Sequence, residues 1–265
     1  PIWHVIMASI SNPTQVNVSK GLILFPLGNM DTTAYKMLLS YQSLWSGYRN
    51  TIFYIILSCA ITGTLTIVAG FVFSRNRFFY RNTFMLIISF TMLFNGGMIP
   101  TYMVIRNIGM VDTIWALVVP GSLSVFNIIL MRTSMQEISD SLEEAARLDG
   151  ANDFIIMFKI VLPLCKATFA VIMLFTIVMK WNDYMSALLY LPTKTELYPL
   201  QMELRKILFQ STKEITSASD VSSSTVYARN VEYGAIVIST LPILCVYPFV
   251  QKYFVTGMTI GAVKA

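Results

Sequence analysis

The chain has 265 residues, of which 55% are hydrophobic and only 12% charged, with a mean hydropathy of +0.63. About a quarter of a soluble domain is charged, so this composition leaves too little polar surface for a water-facing exterior and excludes an ordinary soluble fold. The net charge of +5 does not indicate nucleic acid, because the 19 Lys and Arg residues are dispersed and form no run of roughly five or six.

Pro1–Met7 lacks the basic start and small-residue cleavage site of a signal peptide. It reads as the end of a first span that begins before Pro1. Asn50–Ser74 is uncharged and is flanked by Arg49 on one side and by Arg75, Arg77 and Arg81 on the other. Its length suffices to cross about 30 Å of hydrocarbon. Asn82–Ile105 is also uncharged but is interrupted by Asn95-Gly96-Gly97 and Pro100, an interruption tolerated only where neighbouring helices or a wet cavity satisfy the backbone. Thr113–Met131 contains Pro120-Gly121, and Lys166–Tyr184 and Tyr233–Gln251 complete the series, the last with Pro242 and Pro248. The expected fold is all-α, a polytopic transmembrane helical bundle in which one domain, 1–265, has five complete spans plus the remnant of a first.

Arg75, Arg77 and Arg81 in the first short loop, and Lys252 and Lys264 after the last block, have no acidic residues among them. Both segments are therefore expected on the cytoplasmic side. Alternation makes the loop over about 132–165 cytoplasmic and the segments 11–48 and 186–230 external. Residues 211–225 are small and polar and suit a loop tip.

Cys59, Cys165 and Cys245 lie in or beside apolar blocks without C-x-x-C spacing and read as small apolar fillers. His4 is the only histidine, so a histidine-based metal site and a Ser/His/Asp set are not expected. The chain also lacks a G-x-x-x-x-G-K-[ST] phosphate loop. No catalytic role, metal or cofactor is expected in this chain.

The cytoplasmic loop is the most informative stretch. Ser139 and Asp140 open a short helix, acids occupy its first turn, and Gly150 follows Asp149 as a stop signal. A second helix is expected over Ala151–Val161, with Phe154, Ile155, Phe158 and Ile160-Val161 near one another at three- and four-residue spacings and Pro163 ending it. Such a unit between two spans exposes apolar surface that a protein partner would cover. An amphipathic helix lying on lipid is the competing reading, but such helices favour a basic polar face. This one carries Glu137, Asp140, Glu143, Glu144, Asp149 and Asp153.

Glu144-Ala145-Ala146, Gly150 and Ile160-Val161-Leu162-Pro163 resemble the E-A-A-x3-G-x9-I-x-L-P signature of permease subunits in binding-protein-dependent ABC importers. Asn95-Gly96-Gly97-Met98-Ile99-Pro100, Trp181-Asn182 and Tyr198-Pro199-Leu200-Gln201 are similar to the maltose-importer type, in the branch that handles oligosaccharides, including acidic ones. The resemblance implies a type I importer permease fold in the bacterial cytoplasmic membrane. It also implies a second permease subunit, two cytoplasmic ATPase subunits that bind ATP and Mg, an extracytoplasmic solute-binding protein and a sugar substrate. The loop would then be a coupling helix docked in an ATPase cleft. Ala145 and Ala146 would allow close approach, Gly150 a turn where a side chain would collide, and Glu144 a basic partner, with Phe154 and Phe158 as apolar anchors. Ile160, Leu162 and Pro163 complete the signature.

Lys180, Trp181, Asn182, Asp183 and Tyr184 end the fourth complete block. At about 1.5 Å per residue, Lys180 lies about 25 Å along the helix from Pro163, in the outer part of the membrane. On one reading Lys180 and Asp183 pair at the interface while Trp181 and Tyr184 join an aromatic belt. On the other, Trp181 stacks on a sugar ring, Asn182 bonds hydroxyls and Lys180 attracts a uronate carboxylate. Asn95, with its glycine pair, either bends its block to open the pathway or packs closely against a neighbour. A different solute for an importer of this kind, an ion-coupled secondary transporter and a membrane-embedded enzyme remain as alternatives. The last two would need carboxylates within the spans or a catalytic cluster.

Overall fold

The computed structural model describes residues 2–94, 96–217 and 227–245, with side chains omitted for 210–217. Helices dominate, and no strand occurs among the described residues. In chain order they are α1 Ile2–Ser9, α2 Pro13–Val18, α3 Thr33–Ser40, α4 Gln42–Ser74, α5 Arg81–Thr91, α6 Met98–Asn107, α7 Trp115–Val118, α8 Val125–Gln136 and α9 Asp140–Leu148. They continue with α10 Asp153–Leu164, α11 Lys166–Trp181, α12 Met185–Tyr190, α13 Leu200–Ser217 and α14 over 227–245. Asn95, residues 218–226 and the end of the fifth complete block, with Lys252 and Lys264, lie outside the described residues.

The chain divides into two compact units, one built from Pro1–Ile52 and Trp181–Tyr247, the other centred on Phe53–Lys180. In the first, Met7, Ala8, Val16 and Ile23 form an apolar cluster, and Asn230 of α14 donates to the Ser11 carbonyl at 2.7 Å. The start of α4 is fastened to the turn before α13. Asn50 donates to the Glu196 carbonyl at 2.8 Å, and the Leu200 N–H donates to Thr51 Oγ1 at 2.8 Å. Gly47 makes room there, since a Cβ on it would meet Leu200 Cα at 3.1 Å. In the second unit, Ile67 and Phe71 of α4 pack with Met131, Met135, Ile156, Val161 and Ile172. A Cβ at Gly70 would come within 2.9 Å of Met131 Cγ, so this glycine permits the close approach of α4 and α8.

Only α4 is a single described helix long and apolar enough to cross a membrane, and α10 with α11 passes the same test as a pair bent by 85°. The blocks Asn82–Ile105 and Thr113–Met131 are not continuous helices. The first is split between α5 and α6 before Gly97, at φ 88°, and the second between α7 and α8 at Pro120-Gly121, where Gly121 has φ 78°. Hydropathy averaged over such blocks hides these breaks, because a proline N and a left-handed glycine end helical hydrogen bonding without changing apolarity.

Asp31 precedes α3 and accepts the Thr33 N–H at 2.8 Å. Hydrogen bonds from Thr33 hold its carboxyl below the ordinary value of 3.8. A depressed carboxylate contributes stability above its unfolded value and loses it as pH falls through the folded one. Amide exchange in the first turn of α3 is therefore expected to speed up on acidification below the usual carboxylate range. An Asp31→Ala variant should already exchange fast at neutral pH and show little further response.

Candidate functional site

The loop between α8 and α11 is built by local rules. Ser139 Oγ accepts the Ser141 N–H at 3.3 Å at the start of α9, and Asp140 and Glu143 sit in its first turn, at the positive end of the helix dipole. The helix ends in a Schellman motif. The Gly150 N–H reaches the Arg147 carbonyl at 3.0 Å, and the Ala151 N–H reaches the Ala146 carbonyl at 2.9 Å. This motif needs a left-handed residue, and Gly150 has φ 82°. Nothing lies within 4 Å of the place its Cβ would occupy, so within this chain it is the backbone conformation, not a collision, that calls for glycine. Asn152 Oδ1 caps α10 by accepting the Ile155 N–H at 2.9 Å, and Arg147 pairs with Asp153 across the bend.

Pro163 does not end the second helix, as its position predicts, but lies within α10, one residue before that helix ends. Without an N–H it cannot bond the Lys159 carbonyl, and the preceding residues Ile156–Val161 widen into a π-helix that takes up the mismatch. The chain turns by 85° into α11 immediately beyond.

The two faces of α9 differ sharply. Glu143 and Ala146 are buried, whereas Glu144, Ala145 and Leu148 are exposed. Ala146 packs into the unit's own core beside Met135 and Ile156, so the close approach it allows is to this chain, and the exposed small residue is Ala145. Leu148 is 89% and Phe154 70% exposed, and Phe158 is also exposed. Ile160 and Leu162 are half-buried against the core, and Pro163 is exposed.

Sequence reasoning missed what braces this unit. Glu143, not Glu144, is the acid turned inward, and it pairs with Arg75 just beyond α4 at 2.5 Å. Burial pushes the Glu143 carboxyl up from its ordinary value, and the Arg75 guanidinium only partly offsets this. Arg75 also lies over the Phe71 ring at 5.1 Å and donates to the Met135 carbonyl at 3.4 Å. Asn76 donates to Asp140 at 3.2 Å. Phe71, Arg75, Asn76, Asp140 and Glu143 line a cleft of about 420 Å³. The three arginines after α4 and the acids of α9 were the available signal, being opposite charges assigned to one side of the membrane.

The residues at the end of α11 do not gather in one pocket. Lys180 donates to the Leu117 carbonyl and lines a cavity of about 300 Å³ in the second unit with Thr62, Asn127, Phe175 and Thr176. Trp181 belongs to the core of the first unit. It is 6% exposed, donates to the Ser239 carbonyl at 3.0 Å and lies 6.1 Å from the Tyr48 ring. It therefore presents no open face for sugar stacking and does not sit in a lipid-facing belt. Asp183 accepts the Ser186 N–H at 3.0 Å and shapes the turn into α12, Asn182 is exposed, and the Tyr184 ring carries the Arg205 guanidinium at 4.8 Å.

Comparison with known proteins shows what the chain as a whole is similar to. The chain is 38% identical to the polygalacturonan/rhamnogalacturonan transport system permease protein YtcP of Bacillus subtilis, across all of this chain and 92% of that protein. Protein LplC of the same organism is 34% identical, across all of this chain and 88% of its own length. Among solved structures, a chain of a bacterial ABC transporter involved in the import of the acidic polysaccharide alginate superposes with a TM-score of 0.84 at 34% identity. That match covers 96% of this chain and 90% of the other. Residues 63–260 match the family described as the inner membrane component of binding-protein-dependent transport systems. With the bent, braced loop in the position its signature requires, the chain belongs to that family of ABC importer permeases.

Proposed function

We propose that the chain is one of two permease subunits in an ATP-driven importer of oligosaccharides that carry uronate residues, working by alternating access across the bacterial cytoplasmic membrane. The observation that carries this reading is the α9–Gly150–α10 unit, which displays Leu148, Phe154 and Phe158 outward while Glu143 ties it to Arg75 at the end of α4. Exposed apolar groups on a braced handle suit docking in a cleft of a cytoplasmic ATPase. Closing of an ATPase pair would move the handle as a rigid body, and the packed helices behind it would switch between inward-open and outward-open arrangements. ATP and Mg would be bound by those partners, and an extracytoplasmic binding protein would deliver the sugar to the opposite side.

The acidic substrate class is supported by the similarity to a polygalacturonan/rhamnogalacturonan permease and to an alginate importer, and by Lys180 in its cavity beside Asn127 and Thr176. Reconstituted with its partners, the importer should show ATPase activity stimulated by the loaded binding protein, most strongly with galacturonate-type oligomers in a sugar panel. Uptake without ATP, or purification with no ATPase subunit attached, would overturn the importer reading. A Lys180→Ala variant should lower the ratio of anionic to neutral sugar uptake by about tenfold, the scale of one lost charged hydrogen bond. An unchanged ratio would remove Lys180 from the pathway.

A further inference from the structure

Arg205 lies in the first unit on α13, and four residues before and after it are Gln201 and Phe209. This spacing puts all three on one helical face. The guanidinium lies 4.8 Å from the Tyr184 ring centroid and 5.3 Å from that of Phe209. These residues, with Ser239 of α14, line a cavity of about 380 Å³, within the range of about 300–1,000 Å³ usual for small-molecule sites. Nη1 of Arg205 is enclosed and has no hydrogen-bond partner among the described residues. Nor does any carboxylate among them pair with it, because Glu203 of the same helix is taken by Lys206 at 3.3 Å.

An enclosed guanidinium nitrogen without an acceptor is costly unless something supplies one. Two aromatic faces beside it, an amide at Gln201 and a hydroxyl at Ser239 match one ligand chemistry. A pyranose ring lies on an aromatic face, its hydroxyls bond amide and hydroxyl groups, and a carboxylate accepts from a guanidinium N–H. We propose that Tyr184, Gln201, Arg205, Phe209 and Ser239 form a subsite for one uronate unit of an incoming oligosaccharide. This rests on the reading above, which makes the substrate acidic, and on the external side expected for 186–230, and it assigns the recognition of charge there to Arg205. An acidic side chain of the binding protein would satisfy the guanidinium too, but it would leave the aromatic flanks and the concavity unused.

The test uses the complete importer in proteoliposomes with its binding protein, with subunit co-purification confirming that each variant assembles. A short galacturonate oligomer is compared with its methyl ester, which keeps the sugar and removes the charge. Arg205→Gln should raise the half-saturating concentration of the acid by about tenfold or more while leaving the ester unchanged, the scale expected for losing a charge-assisted contact. Arg205→Lys should recover part of the loss, and Tyr184→Ala should weaken both sugars, because stacking does not depend on charge. If the wild-type importer prefers the acid and Arg205→Gln keeps that preference, the subsite is refuted and the acidic-substrate reading stands. If wild type takes both sugars equally, that reading and the subsite fail together. Equal loss of both sugars in Arg205→Gln would assign the residue to packing or to contact with the binding protein, and would also overturn the proposal.

Discussion

Gly150→Asp is expected to leave membrane insertion and subunit assembly intact while separating ATP hydrolysis from transport. Within the chain the added Cβ has space, so the internal cost is that of a left-handed residue, about 1–2 kcal/mol. Asp bears this better than most side chains. The larger effect arises outside the chain. Gly150 forms the bend between exposed Leu148 and exposed Phe154, and a carboxylate there would occupy the surface through which a docked motor subunit pushes. Transport per ATP hydrolysed in proteoliposomes should fall by more than tenfold, on the scale of disturbing a central interface residue. Gly150→Asn separates the causes, because Asn tolerates positive φ almost as well as glycine yet still adds bulk. Uncoupling by Asn would indicate lost space, and normal transport by the Asp variant would contradict docking at this bend.

Glu143→Ala should be the most destabilising single change in the loop. It leaves the Arg75 guanidinium, whose side chain is only 11% exposed, beside a void where its counter-charge stood. Breaking a buried pair by removing one member costs about 3–5 kcal/mol. The thermal midpoint of the purified complex should drop, and coupling should fail with it, since the handle loses its tie to the end of α4. Arg75→Met alone should be damaging for the opposite reason, and the double variant should recover part of the loss, which a double-mutant cycle measures directly. Glu143→Gln should be milder than Glu143→Ala. Burial raises the Glu143 pKa in the folded state, so the neutral side chain is relatively well accommodated. The sign for pH follows. A folded value above the unfolded one contributes stability below the unfolded value and loses it as pH rises through the folded one. Mild acidification is therefore not expected to loosen the loop through this residue, and a melting curve that fell on acidification in wild type but not in Glu143→Gln would contradict the assignment.

Much of this is legible in the amino-acid sequence. Low charge and long apolar blocks indicated a helical membrane protein, because hydropathy acts through composition alone. The α9–Gly150–α10 unit was equally readable, since caps, first-turn acids and a left-handed glycine work within a few residues of one another. Of its apolar groups, Phe154 and Phe158 are exposed, whereas Ile160 is half-buried and Val161 lies in the core, a division that spacing alone does not make.

Other features depended on segments far apart in the chain. Local pattern treats Glu143 and Glu144 alike, and only the packing of α9 against the end of α4 sends the first toward Arg75 and the second into the open. Local sequence leaves Trp181 open to a place in an aromatic belt or to a sugar platform, and only α4 and α14, which bring Tyr48 and the Ser239 carbonyl against it, put it in the core instead. The Arg205 cavity likewise takes its walls from α13, α14 and the turn before α12. Periodicity and capping are determined by neighbours in sequence, so they can be read from it. The burial of a charge or a ring is determined by whichever distant helix arrives beside it, and that only the tertiary structure decides.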